Sequence, residues 1–186
     1  HMHLLATEHE RPVEHSVSRF MTDHLIDWLE NQTTTSQTPW FAHASYLRPH
    51  PPYSAPRDFT SMYDPADVGM PITPSSDRHP FHDVLFGVSA VTAPSDEAEM
   101  RYMRSQYFAM ISAVDAEMGR LWDALKRLGA WENTVIIVTA DHGEQLGDHG
   151  LKDKVGWFEQ SHHIPLLWRD PFQTATHGTV VQHFTE

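Results

Sequence analysis

The chain has 186 residues and contains no cysteine. This absence excludes disulfide bonds, thiolate zinc sites and a cysteine nucleophile within the chain. Proteins of reducing compartments do without disulfides, so we expect a cytoplasmic protein. Apolar runs of about 18 residues are also missing, and no signal-peptide pattern is recognisable. We therefore expect no membrane partner.

Positive charge is scarce as well. The 13 lysine and arginine residues stand against 25 aspartate and glutamate residues, which gives a formal net charge of -12. Nucleic-acid-binding surfaces need clustered basic residues, so we expect no nucleic-acid partner. Hydrophobic residues make up 40% of the chain, the balance of a globular protein. Residues 1–186 are predicted to form a single domain, and His1–Met2 resemble a cloning remnant.

Apolar spacing predicts two helices and three strands. Steps of three and four residues between apolar side chains predict helices over Val17–Glu30 and Ser95–Leu128. The β-branched run Thr134–Thr139 predicts a buried strand, and the apolar runs Trp40–Leu47 and Ile164–Trp168 predict two more. Helices alternating with strands indicate an α/β fold, in which ligands bind beyond the carboxyl ends of the strands.

Two stretches lack such periodicity. The polar residues of Asn31–Pro39 predict a break after the first helix. Residues 48–94 hold most of the 13 prolines and predict a long loop, with a short helix or strand within Phe81–Val91. Loops of this length in compact domains are usually either functional or disordered.

The strand predicted over Thr134–Thr139 is followed, after Ala140, by Asp141-His142-Gly143. A carboxylate and an imidazole at a strand end can bind one divalent cation together, and glycine allows the sharp turn that this requires. Mixed oxygen and nitrogen ligands suit Mn²⁺, Fe²⁺ or Zn²⁺ better than Ca²⁺. The alternative is an ordinary turn, with an acidic residue and a solvent-exposed histidine.

Further ionisable residues lie in the neighbouring loops. Lys152 and Lys154 follow the possible metal ligands. A lysine near a metal can bind an anionic oxygen of a phosphate or sulfate, although a solvated loop lysine is the simpler interpretation. His50 lies between prolines in "RPHPP", just after a predicted strand. It is either a candidate general acid or a surface histidine in a rigid loop.

Two motifs together resemble a known family. "SYLRPHPPYSAP" and "VTADHGEQLGDHGLKDKVGWFEQSHHIPLLWRDP" occur in this order, with the long predicted helix between them. They resemble the mid-chain and C-terminal motifs of the sulfatase family, in the alkaline phosphatase superfamily. The similarity is greatest to the phosphonate monoester hydrolase and arylsulfatase branch, and covers the chain from about Val13 onward. It implies part of an α/β/α sandwich with a central, mostly parallel sheet.

The resemblance also implies residue roles. Asp141 and His142 correspond to metal ligands, Lys154 to the lysine that contacts the sulfate or phosphonate, and His50 to the histidine that assists the leaving oxygen. The implied cofactors are one divalent metal, with Mn²⁺ favoured over Ca²⁺, Fe²⁺ or Zn²⁺, and a formylglycine made from cysteine or serine. The implied substrate is a small anionic ester, hydrolysed through the hydrated formylglycine.

Two features of the family are not recognisable in the chain. One is a pair of acidic metal ligands near the N-terminus. The other is the Cys- or Ser-x-Pro-x-Arg signature of the nucleophile: Ser54–Arg57 places the arginine one residue too early. We therefore predict an internal fragment of a longer enzyme, inactive on its own. Strands that lack their neighbours expose their edges, so we also expect a homo-oligomer.

Two alternatives stay open. The first is a phosphatase or phosphomutase of the same superfamily, with a serine or threonine nucleophile and a second metal, for which His149, His162 and His163 offer additional ligands. The second is a non-catalytic acidic module that binds a metal or a partner protein.

Overall fold

The computed structural model describes residues 11–35 and 38–182. Four helices and two strands carry the fold, namely α1 (Val17–Thr35), α2 (Pro80–Phe86), α3 (Glu97–Arg127), β1 (Ile136–Thr139), α4 (Glu159–His162) and β2 (Leu166–Arg169). Within this part of the chain, no helix combines the length and the apolar character needed to cross a membrane. The prediction that residues 1–2 are a cloning remnant lies outside the described residues.

The long helix α3 begins and ends where its sequence predicts. The Asp96 side chain caps its first turn by accepting a hydrogen bond from the backbone N–H of Glu99 at 2.9 Å. Lys126 and Arg127 lie in its last turn, where positive charge is favourable. The chain then turns at Gly129, which has a φ of 69°. The helix predicted over Ser95–Leu128 is confirmed.

Helix α1 packs against α3 through an apolar cluster and a buried ion pair. Leu29, Leu121 and Leu125 form the buried part of the cluster. Next to it, the Glu117 side chain is only 1% exposed, and both its oxygens are paired: Arg19 Nε lies at 2.8 Å and Arg120 Nη1 at 2.7 Å. A buried carboxylate is tolerated only with such partners, so this triad orients the two helices.

Helix α1 is longer than predicted. It continues beyond Glu30 to Thr35, through the first half of the predicted polar break. The Thr33 and Thr34 hydroxyls donate to the carbonyls of Leu29 and Glu30 at 2.9 and 2.7 Å. These threonines therefore satisfy their polar atoms within the helix, and the predicted end at Glu30 is wrong. Residues 36–37 of the predicted break lie outside the described residues.

Strands β1 and β2 form an antiparallel ribbon. The strands predicted over Thr134–Thr139 and Ile164–Trp168 are confirmed in shorter or shifted form. Ile136 packs against the α1–α3 cluster, whereas Ile137 and its partner Trp168 point to the opposite, exposed face. This two-stranded ribbon is the whole sheet of the described residues. A central, mostly parallel sheet stays a prediction.

The strand predicted over Trp40–Leu47 is wrong, because no strand forms there. Exposure alternates along the segment as it does in a strand, but the backbone has no paired neighbour among the described residues. Its side chains pack on α1 instead. Trp40 contacts Trp28 edge-on, with ring centroids 5.8 Å apart, and the Tyr46 hydroxyl shares a hydrogen bond with Thr22 Oγ1 at 2.9 Å.

Residues 48–94 form the long loop that the prolines predict, interrupted by α2 and by a 3₁₀ turn at Pro65–Asp67. The short element predicted within Phe81–Val91 is the helix α2. The loop is well anchored, because the buried side chains of Tyr53 and Ala55 belong to the same core as Met103 and Met110 of α3. This anchoring ties the segment that follows His50 to α3.

Candidate active site

The loop that carries His50 is held by its own backbone carbonyls. Arg48 Nη1 donates to the carbonyls of His50 and Pro52 at 2.7 and 2.9 Å. The Nδ1 atom of His50 lies 2.9 Å from the Pro51 carbonyl. A carbonyl only accepts hydrogen bonds, so Nδ1 carries the ring proton in this contact. The Nε2 lone pair of neutral His50 is therefore free to face a donor or a substrate.

Asp141 and His142 lie just beyond the carboxyl end of β1. His142 Nδ1 donates to the Gly143 carbonyl at 2.7 Å, which leaves its Nε2 as an acceptor 3.7 Å from Asp141 Oδ2. Two acceptors of this kind side by side suit a shared cation. The other carboxylate oxygen of Asp141 accepts the backbone N–H of His142 at 3.0 Å.

Gly143 allows this turn because the start of α4 passes directly over it. A Cβ atom at residue 143 would lie 1.9 Å from the Gln160 carbonyl oxygen. The Gly143 N–H donates to the Ser161 carbonyl at 2.8 Å. No side chain fits in this space, so glycine is required for the two loops to meet.

Lys154 contacts His50 through the tips of the two side chains. Its Nζ lies 3.3 Å from His50 Nε2 and 3.9 Å from Asp153 Oδ1. Because the ammonium can only donate, it donates to the free Nε2 lone pair of His50. The ring centroids of His50 and His142 are 6.4 Å apart. The structure thus brings together His50, Asp141, His142 and Lys154, although their chemical roles stay predictions.

Sequence reasoning missed two residues beneath this group. The Tyr53 hydroxyl donates to Glu144 Oε1 at 2.9 Å, and the backbone N–H groups of Leu146 and Asp153 donate to the same oxygen. Burial raises the pKa of Glu144 and outweighs these hydrogen bonds, which act in the opposite direction. Burial also raises the pKa of Tyr53. No spacing rule pairs a tyrosine and a glutamate 91 residues apart.

The chain offers a metal two ligands from this site. Asp141 is 89% exposed, and among the described residues no group of three or more histidines and acidic residues is close enough to hold a cation. Asp141 and His142 nevertheless fit a divalent metal, since each presents an oxygen or nitrogen lone pair on the same side of the turn. Structural zinc sites are almost always four-coordinate, so further ligands have to complete the set.

The remaining candidate histidines have other contacts. His149 stacks on Phe158, with ring centroids 3.9 Å apart and planes at 8°. His162 Nε2 lies 3.3 Å from the Gly156 carbonyl, and His163 Nδ1 lies 3.3 Å from Glu159 Oε2. None of these contacts involves Asp141 or His142. The arrangement therefore offers no support for a second metal beside them.

Comparison with known proteins decides the family. The family model described as Sulfatase matches residues 7–185. The chain belongs to the sulfatase family. The resemblance of its two motifs is thereby confirmed, and the solved relatives of this sulfatase-family chain are alkaline-phosphatase-like.

Three relatives describe the extent of the match. The chain is 35% identical to the multifunctional alkaline phosphatase superfamily protein PehA of Trinickia caryophylli, over 94% of this chain and 36% of that protein. It is 32% identical to human iduronate 2-sulfatase, over 83% and 30% of the two chains. The phosphonate monoester hydrolase of Agrobacterium radiobacter superimposes with a TM-score of 0.83 at 33% identity, over 94% and 37%. The sulfatase-family chain thus spans about a third of the length of these relatives.

Proposed function

We propose that this chain supplies one side of a hydrolytic site for small sulfate or phosphonate monoesters. The main support is a contact between two side chains: Lys154 Nζ lies 3.3 Å from His50 Nε2. The paired acceptors of Asp141 and His142 lie next to this contact. A cation, a proton carrier and two metal ligands on one surface are the groups that hydrolysis of an anionic ester requires. The sulfatase and phosphonate monoester hydrolase names of the relatives support this substrate class.

Asp141 and His142 would hold a divalent metal, with Mn²⁺ the favoured ion. When bound, such an ion supplies Lewis-acid stabilisation of negative charge. The Nδ1–H bond from His142 to the Gly143 carbonyl keeps the ring in the tautomer that directs Nε2 toward the ligand position. Within the chain, the backbone N–H of His142 also holds one carboxylate oxygen of Asp141, which leaves the other available.

Lys154 and His50 would act on the substrate itself. The Lys154 ammonium neutralises charge on a non-bridging oxygen of the ester. His50 has its Nδ1–H committed to the Pro51 carbonyl, so it would act on the leaving oxygen through Nε2. Because Nε2 accepts from Lys154 in the structure, it has to take up a proton from solvent before it can pass one to the leaving oxygen. Lys154 touches this same atom, and therefore places the proton carrier next to the anion that it binds.

The nucleophile of the reaction is not assigned to any residue of this chain. The family's formylglycine derives from a cysteine or serine signature that is not recognisable here, and the chain has no cysteine. We therefore propose that turnover needs the nucleophile and the missing metal ligands from the remaining portion of a sulfatase domain. We also propose that residues 48–94, which carry His50, shape the leaving-group pocket. Once that remaining portion is supplied, shortening this loop should change relative kcat/KM values for aryl sulfate and aryl phosphonate esters more than it changes metal affinity.

Metal binding provides the first test. Titration with Mn²⁺ should broaden the imidazole NMR signals of His142 before those of other histidines, because Mn²⁺ is paramagnetic and two donors converge there. The Asp141→Asn substitution should reduce this broadening at least tenfold at a given concentration. Initial broadening at His149 or His162, with His142 unaffected, would contradict the proposed metal side of the site.

A further inference from the structure

We propose that Tyr53 and Glu144 are positioning residues, and that their hydrogen bond sets the distance between Lys154 and His50. The inference rests on the proposed function, because it concerns how the candidate catalytic pair is held. Both residues lie where the loop of His50 meets the loop of Lys154.

Tyr53 ties the His50 loop to the core. It follows His50 by three positions and its side chain is only 2% exposed. Its ring packs against Tyr107 of α3, with centroids 6.3 Å apart, in the cluster that also contains Met103. The ring is therefore fixed by packing, so the direction of its hydroxyl is fixed as well.

Glu144 ties the two other segments to that hydroxyl. A single oxygen, Oε1, accepts from Tyr53 at 2.9 Å, from the Leu146 N–H at 3.2 Å and from the Asp153 N–H. Asp153 directly precedes Lys154, and its side chain accepts the Lys154 N–H at 2.8 Å. The backbone of Lys154 is thus two hydrogen bonds away from the buried Tyr53 hydroxyl.

The part-buried Tyr53–Glu144 bond constrains these loops more strongly than the contact between Lys154 and His50 does. Lys154 is 43% exposed, and its contact with His50 is long at 3.3 Å. A solvent-exposed contact of this kind contributes little to holding a geometry. The Tyr53–Glu144 hydrogen bond is part-buried at 2.9 Å, and a hydrogen bond shielded from water is electrostatically stronger than one in solvent. We infer that the Tyr53–Glu144 bond places the two loops and that the Lys154–His50 contact follows.

The ¹⁵N chemical shift of His50 Nε2 tests this without turnover or metal. Lys154→Ala removes the donor and defines the shift of an unpaired Nε2. Tyr53→Phe keeps the buried ring, so the chain should fold, and we expect it to move the shift at least halfway toward the Lys154→Ala value. Glu144→Gln provides a second variant, which keeps an acceptor but not the charge, and should move the shift in the same direction by less.

Tyr63→Phe is the matched control. The Tyr63 hydroxyl also joins the loop to α3, through Ser112 Oγ at 2.8 Å, but does not contact Glu144. Its loss should leave the His50 shift unchanged. If Tyr53→Phe and Glu144→Gln behave like Tyr63→Phe while Lys154→Ala moves the shift, the positioning role is wrong and the proposed function stands. If Lys154→Ala has no effect, the Lys154–His50 contact is absent and both proposals fail.

Discussion

The site loops and the β1–β2 ribbon are organised in different ways. The loops around His50 and Lys154 pair many of their polar groups within the chain, through Arg48, Glu144 and backbone bonds. The ribbon leaves apolar side chains in solvent: Trp168 is 64% exposed. Hydrogen-bonded loops can hold a geometry without a partner, whereas an isolated two-stranded ribbon is marginal in water. The residues of this chain thus hold the candidate site in place better than they hold the β1–β2 ribbon.

The largest effect on stability should come from disrupting the close packing of Gly143 against α4. Gly143→Ala places a Cβ 1.9 Å from a carbonyl oxygen of α4, so the turn has to move. We expect a loss of about 3 kcal/mol in the free energy of unfolding, the upper range for overpacking. Urea denaturation followed by circular dichroism measures it.

Gly119→Ala is the control for this substitution. Gly119 lies within α3, and a Cβ there would meet nothing within 4 Å. Alanine should therefore stabilise the helix by about 0.5–1 kcal/mol. If both alanine variants have the same free energy of unfolding, the site loops deform more easily than their contacts indicate.

A smaller effect should follow from changing the ribbon. We take the exposed face of the ribbon to mediate the self-association predicted for the homo-oligomer. Trp168→Ser should then raise the dissociation constant about tenfold or more, because buried aromatic residues dominate interfaces. Stability should change by less than about 0.5 kcal/mol, as for other exposed positions. Light scattering over a concentration series provides the measurement.

Val84→Ser is matched to this change, because Val84 is also 64% exposed but lies on α2, away from the ribbon. Its substitution should leave self-association unchanged. A wild-type chain that stays monomeric at all concentrations would refute the predicted homo-oligomer.

The smallest effect concerns the pH dependence of stability. Burial raises the pKa of Glu144 above its ordinary value of 4.5, so the folded state binds this proton more tightly than the unfolded state. Its contribution to stability is fully present below about pH 4.5 and is lost as the pH rises through the raised pKa. The stability of the wild type relative to Glu144→Gln should therefore fall over this window and then level off. Unfolding midpoints across the window give the difference, and a rise instead would mean a lowered pKa.

Features that depend on neighbouring residues in the sequence could be predicted, whereas features that depend on contacts between distant residues could not. Helix α3 and the Asp141–His142 turn could be predicted, because capping residues, apolar spacing and a glycine are local signals. Trp40–Leu47 has the composition of a strand, but strand formation depends on a neighbouring backbone, which sequence does not reveal. The Tyr53–Glu144 bond was out of reach for the same reason, since it joins loops that only the tertiary fold brings together.

The central claim is that this chain contributes His50 and Lys154 to ester hydrolysis. It can be tested in a hybrid, in which this chain replaces the matching segment of the Agrobacterium radiobacter phosphonate monoester hydrolase, which it covers over 37% of its length. With an aryl phosphonate ester, His50→Ala and Lys154→Ala should each lower kcat by about 100-fold or more, whereas His163→Ala, an exposed histidine, should have no effect. An active hybrid whose kcat is unchanged by His50→Ala and Lys154→Ala would contradict the account.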